Sequence, residues 1–288
     1  MSKSARPDHT LPLAMAGIIA LAMESFLFGM FSMLYAIAIW ILLYRERIRG
    51  RSKINKVLCL TSSTLWLLCL AHFAIDIARA VQGFAVQGQR AAGGASRFYS
   101  ILGDPTNVAK QSVYGVTTLI ADCFVTYRLW VIWSRVWWIV PGPVLLLLAT
   151  AVSGIQSCSH VAWTKEDQDV FTNSDEPWIQ AFFSLSLATN LLATILIMGR
   201  LICARRRVLR HCTEGIASPY RKALDTVIQS AAIYSVALAT LLGMYLLKSN
   251  AQYVFLDTIQ PIIVSLCLAS LLARSSLLVV MPSVNHHG

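Results

Sequence analysis

Long apolar runs alternate with short polar connections along almost the whole chain. Seven runs stand out, at 14–44, 56–81, 108–133, 137–157, 178–203, 224–247 and 253–281. A bilayer core about 30 Å thick needs roughly 20 apolar residues per spanning helix. Each run meets that length, and two exceed it, so tilt or extramembrane turns are expected there. The pattern therefore predicts an all-α integral membrane bundle of seven transmembrane helices, a single polytopic domain over 1–288. The longest connections, about 82–107 and 158–177, are too short to build a core of their own. The polar leader "MSKSARPDHT" precedes an apolar run far longer than the roughly 7–15 residues of a signal-peptide core, so the first run is expected to act as a signal anchor.

Composition agrees with this reading. The 288 residues are 56% hydrophobic and only 13% charged, against about 25% charged in an ordinary soluble domain. The seven cysteines show no CxxC and no metal-ligand spacing, and most fall inside the runs, where free cysteine packs as a small apolar side chain.

Charge orients the bundle. Arg45, Arg47, Arg49, Arg51, Lys53 and Lys56 occupy the first connection. Arg200, Arg205, Arg206, Arg207, Arg210, Arg221 and Lys222 occupy the fifth, and Arg128 and Arg135 flank the third. The acids Glu166, Asp167, Asp169, Asp175 and Glu176 crowd the fourth. Lys/Arg-rich connections stay cytoplasmic, which predicts the N-terminus outside and the C-terminus inside. The formal net charge of +10 is thereby explained as topology plus attraction to anionic inner-leaflet lipid, about 1 kcal/mol per basic residue near the surface. The bilayer and those lipids are the expected partners, with loops one, three and five open to a cytoplasmic signalling partner. Nucleic acid is not an expected partner, because no soluble domain presents such a patch.

Ionisable residues inside apolar runs are expensive and so mark candidate sites. Three groups emerge from their depth along the helices. Toward the outer face, His72, Asp76 and Arg79 stand at i, i+4 and i+7 and share one helix face. Glu24, Lys110, Tyr114, Lys248 and Asp257 fall at comparable depth; Glu24, His72, Asp76, Arg79, Tyr114 and Asp257 are the candidate ligand-binding ring of an outward-open pocket, or else an interfacial polar belt. Near the midplane, Asp122 lies 13 residues before Arg135, about 20 Å deep at 1.5 Å per residue. It is expected to face the bundle interior, with Asn190 as its partner. At the inner face, Arg128, Asp225 and Arg274 are the candidate latch between helix ends. Asp122 and Arg128 differ in direction by about 120° and so cannot pair with each other. Tryptophans and tyrosines such as Trp40, Tyr44, Trp133 and Trp178 cluster at run ends as an aromatic belt.

Several chemistries lack their signatures. No HxxH, HxxxH or HExxH pair, Asp-rich diphosphate motif, Walker loop or GxSxG elbow occurs, and the last run holds no lysine for a retinal Schiff base. No metal or cofactor is implied.

The stretch "ADCFVTYRLWVIWSRVWWIVPGPVLLLLATAVSG" follows a pattern D-x-x-x-x-Y-R-x-aromatic-V-x-W-x-(R/N)-x-W-x-x-x-x-P. With "SLATNLLATILIMGRLI", "YRKALDTVIQSAAIYSVAL" and "IQPIIVSLCLASLLARSSL", it resembles the large multi-copy family of seven-helix membrane proteins of mushroom-forming (basidiomycete) fungi. Gln229 stands where that family commonly carries an acid, and the last run keeps Arg274 but not the family's proline and threonine. The resemblance implies a receptor-like seven-helix topology and leaves the activity open. "TYR" at 126–128 is not the acid-Arg-Tyr order of G-protein-coupled receptors, and the last run lacks N-P-x-x-Y, so coupling rests on fold analogy alone. Three functions fit: a sensor of an external small molecule or lipid in the plasma membrane, a transporter or channel using Asp122, or a small intramembrane enzyme such as a terpene cyclase using a single carboxyl as its acid.

Overall fold

A computed structural model describes residues 13–49, 53–87, 94–101, 103–133, 135–163, 176–211, 214–247 and 252–265. Helices α1 (Leu13–Arg49) and α2 (Lys53–Ala80) form an antiparallel pair, and α2 runs on into a π-helical turn, Val81–Gln87. A short helix α3 (Gly94–Ser100) packs back on that turn and on α1. Then come α4 (Pro105–Ile132), α5 (Pro141–Trp163), α6 (Glu176–His211) and α7 (Glu214–Leu246), followed by helix α8 over 252–265. Six of these, α1, α2 and α4–α7, are long and apolar enough to cross a membrane among the described residues. Most of the last apolar run, including Arg274, lies outside the described residues.

Helix ends differ from the hydropathy reading for local reasons. Hydropathy starts the third run at Val108, but α4 begins at Pro105. Asp104 caps it by accepting from the Thr106 amide at 2.8 Å, and proline fits the first helical turn, where its missing N–H is not needed. Hydropathy starts the fourth run at Trp137, whereas Trp137–Ile139 is a 3₁₀ turn and α5 begins at Pro141. The polar tail of α5 extends to Trp163, because a helix, once nucleated, adds residues with little regard to their polarity. Likewise α6 continues to His211 through the basic segment. The connection 82–107 is not all loop, since it holds the π turn and α3.

The distribution of polarity is inverted relative to a soluble protein. Met33, Trp40, Leu60, Leu145, Ile155, Ile195 and Val236 are exposed, while Glu24, His72, Asp76, Lys110, Asp122, Asp257 and Gln260 are buried. So much contiguous exposed apolar surface would aggregate in water, but it is the natural outer surface in hydrocarbon. There the apolar effect no longer drives helices together, and close packing with internal hydrogen bonds must do so. Helix α4 is the most enclosed, with 44% of its apolar span buried against 17% for α1. It contacts α2, α5 and α6. Helix α8 seals the bundle from the other side: Val264 packs with Phe31, Leu65 and Phe124, and Ile259 and Ile263 pack with Tyr234, Leu238 and Leu241.

Candidate functional site

Four helices meet in a buried ionic cluster. Glu24 (α1), His72 and Asp76 (α2), Lys110 (α4) and Asp257 (α8) are each less than a tenth exposed. Lys110 donates to both Asp76 and, at 2.7 Å, Asp257. The His72 Nδ1 and Glu24 Oε1 share a hydrogen bond of 2.7 Å, and the His72 Nε2 stands 4.0 Å from the Asp257 carboxylate. The i,i+4 spacing puts His72 and Asp76 on one face of α2, from which His72 meets α1 and α8 and Asp76 meets α4. The long Lys110 stem carries its ammonium between two carboxylates, so neither is left alone in a low-dielectric interior.

Arg79, one turn further along α2, is held differently. Its guanidinium donates to the Thr106 hydroxyl at 3.0 Å, which in turn donates to the cap residue Asp104. The same guanidinium lies over the rings of Phe98 and Tyr99, 5.6 and 5.8 Å from their centroids. These rings reach it because Gly17 and Gly83 leave space: a Cβ at Gly83 would stand 2.9 Å from the Phe98 ring, and one at Gly17 would stand 3.1 Å from that of Tyr99. Burial raises the pKa of the Tyr99 phenol.

Tyr114, placed in the outer ring by its depth, belongs elsewhere. It points to the other side of α4, edge-on to Phe183, and lines a cavity of about 80 Å³ between α4, α5, α6, α7 and α8. Lys110 and Tyr114 are one turn apart, yet the drift of about 40° between them, together with opposite side-chain directions, sends one to α2 and the other to α6. A second cavity of about 50 Å³ is lined by Asp76, Arg79, Lys110 and Asp257. The outer ring is therefore a largely paired cluster beside two small chambers, not an open ring.

Asp122 faces the bundle interior, but Asn190 is not its partner. The Asp122 carboxylate accepts from Ser186 at 2.8 Å and from the Tyr234 hydroxyl at 3.4 Å. Asn190 lies one turn beyond Ser186 on α6, and its side-chain oxygen accepts from Thr194. Between this site and the outer cluster, Gln260 of α8 donates to Thr117 of α4 at 3.4 Å. Sequence reasoning missed Ser186 and Tyr234, since a hydroxyl in an apolar helix carries no signal until its neighbour is known.

At the inner end, Arg128 is buried and Asp225 is exposed, so these two do not close a buried latch, and Arg274 is outside the described residues. Two other arginines at this end stack on aromatic rings: Arg200 lies over Trp133 at 5.4 Å and Arg135 over Trp130 at 5.5 Å, while the Trp133 indole donates to the Leu196 carbonyl at 3.2 Å. Arg135 adopts a left-handed φ of 63° as the chain turns from α4 toward α5. Cys59, Cys69, Cys123, Cys158 and Cys203 are free thiols, and no group of three or more His, Cys, Asp or Glu among the described residues is arranged to hold a metal ion.

Apolar spanning helices around a polar, ion-paired interior define an all-α multi-pass membrane protein. No protein-family model, curated protein or solved structure matches the chain.

Proposed function

We propose that the protein is a seven-helix, receptor-like sensor of the plasma membrane, with its N-terminus outside, that answers an external small molecule. The seventh span is the last apolar run of the sequence, 253–281, and the basic first, third and fifth connections are the cytoplasmic face, held by anionic lipid and open to a signalling partner. Membership in the seven-helix family of mushroom-forming fungi is part of the same proposal. The observation that carries it is the outer ionic cluster. Lys110 ties α4 to α2 and α8 at once, and His72 ties α2 to α1. Discrete pairs of this kind are exchanged rather than stretched when a helix shifts, so a ligand that displaces one helix end switches the bundle between two arrangements.

The test uses the full chain in nanodiscs with an environment-sensitive fluorophore on cysteine introduced at the exposed Arg206, in a background without the native thiols. External small molecules are screened for a saturable change, with solute flux measured in proteoliposomes and product formation in the bulk. A saturable reporter change without sustained flux or turnover supports a sensor. Sustained flux assigns the protein to transport, and turnover assigns it to catalysis.

A further inference from the structure

The aromatic cavity has a chemistry of its own. None of the described residues lining it is an acid, a lysine or an arginine. Tyr114, Phe182, Phe183 and Tyr245 supply ring faces and edges, and a charged ligand here would lie in a low-dielectric wall without a counter-ion. The lining nevertheless holds buried polar atoms. The Gln252 side-chain oxygen finds no hydrogen-bond partner among the described residues and the residue is only 5% exposed, while the Tyr114 hydroxyl, on a residue 4% exposed, has Thr118 within reach one turn along α4. The Gln252 oxygen only accepts, and the Tyr114 hydroxyl both accepts and donates, so a ligand hydroxyl or N–H donor suits the pair. Gly115 sits in the same wall, and a Cβ there would meet nothing within 4 Å. The two chambers, about 80 and 50 Å³, share Gln111, Tyr253 and Leu256.

We infer that this cavity is the binding site for a small uncharged ligand, an apolar ring or branched chain bearing one hydroxyl or amide donor directed at Gln252 and Tyr114. The inference deepens the sensor reading and rests on it for what binding accomplishes. The link to the ionic cluster is covalent and short: of the shared wall, Gln111 follows Lys110 and Leu256 precedes Asp257. A ligand that presses on Gln111 and Leu256 thus moves the backbone on both sides of the Lys110–Asp257 pair.

The probe is 4-fluorobenzyl alcohol, followed by fluorine NMR line broadening on the full chain in nanodiscs, with 4-fluorotoluene and 4-fluorobenzoate as matched compounds lacking the donor or carrying a charge. The expected result is saturable broadening for the alcohol, about 3- to 10-fold weaker affinity for the toluene, as one hydrogen bond accounts for, and none for the benzoate. Gly115→Leu fills the cavity and abolishes the saturable component while the thermal midpoint is kept. Gln252→Leu, which leaves the cavity walls in place, brings the alcohol down to the affinity of the toluene. Broadening that survives Gly115→Leu unchanged is partition into lipid and overturns the site, as does a preference for the benzoate or an alcohol preference untouched by Gln252→Leu. Saturable binding with a silent Arg206 reporter overturns the sensor reading and leaves the site standing.

Discussion

Lys110→Met removes the cation shared by Asp76 and Asp257 while keeping the length and most of the volume of the side chain. The ammonium stands 2.7 Å from the Asp257 carboxylate, and the two acid side chains are only 8% and 4% exposed. Without it, two carboxylates on α2 and α8 are left uncompensated, with the His72 Nε2 4.0 Å from that of Asp257. Breaking a buried pair by deleting one partner costs about 3–5 kcal/mol, whereas an exposed pair is worth about 0–1. A drop in the detergent thermal midpoint on the order of 10 °C is therefore expected, measured by scanning fluorimetry on matched samples. The triple variant Lys110→Met/Asp76→Asn/Asp257→Asn should recover a substantial part of that loss, because exchanging a whole buried ionic group for neutral side chains is often near neutral. A midpoint within about 2 °C of the parent for Lys110→Met would place the cluster in the exposed-pair regime and refute the account of it as a buried tie.

Four further outcomes follow from other parts of the molecule. Ser186→Ala and Tyr234→Phe should each lower stability by about 0.6 and at most about 1.7 kcal/mol, the range of interhelical hydrogen bonds in membranes, and a loss above about 3 in unfolding titrations would mean that more than a hydrogen bond holds Asp122. Gly83→Ala puts a methyl group 2.9 Å from the Phe98 ring, so it should cost about 1–3 kcal/mol and speed tryptic cleavage at the exposed Arg97; unchanged cleavage would show that α3 does not depend on this seat. Asp104→Ala should cost about 1 kcal/mol through loss of the α4 cap, with Asp104→Asn close to the parent in the same thermal assay. Membrane-impermeant maleimide applied to intact cells should label a cysteine at the exposed Trp163 and not one at Arg206, and the reverse pattern would invert the proposed topology.

What the sequence determined by itself was whatever depends on counting along a helix. Length and apolarity place spanning segments, because hydrocarbon leaves an unpaired backbone no option but helix. The fixed rise of about 1.5 Å per residue sets Glu24, His72, Asp76, Lys110 and Asp257 at one level, and the i,i+4 rule puts His72 and Asp76 on one face. The Asp104–Pro105 cap was also legible as a pair of residue types, although hydropathy alone passes over it. Azimuth was not legible. The side of a helix that meets a given neighbour depends on packing, and in an apolar run the lipid-facing and bundle-facing positions carry the same residue types. Only the tertiary structure could therefore separate Tyr114 from Lys110, give Asp122 to Ser186 and Tyr234 in place of Asn190, and set Arg200 over Trp133 while Asp225 stays exposed. Each of these turns on a fraction of a helical turn, and that rotation is fixed by how side chains from different helices fill the space between them.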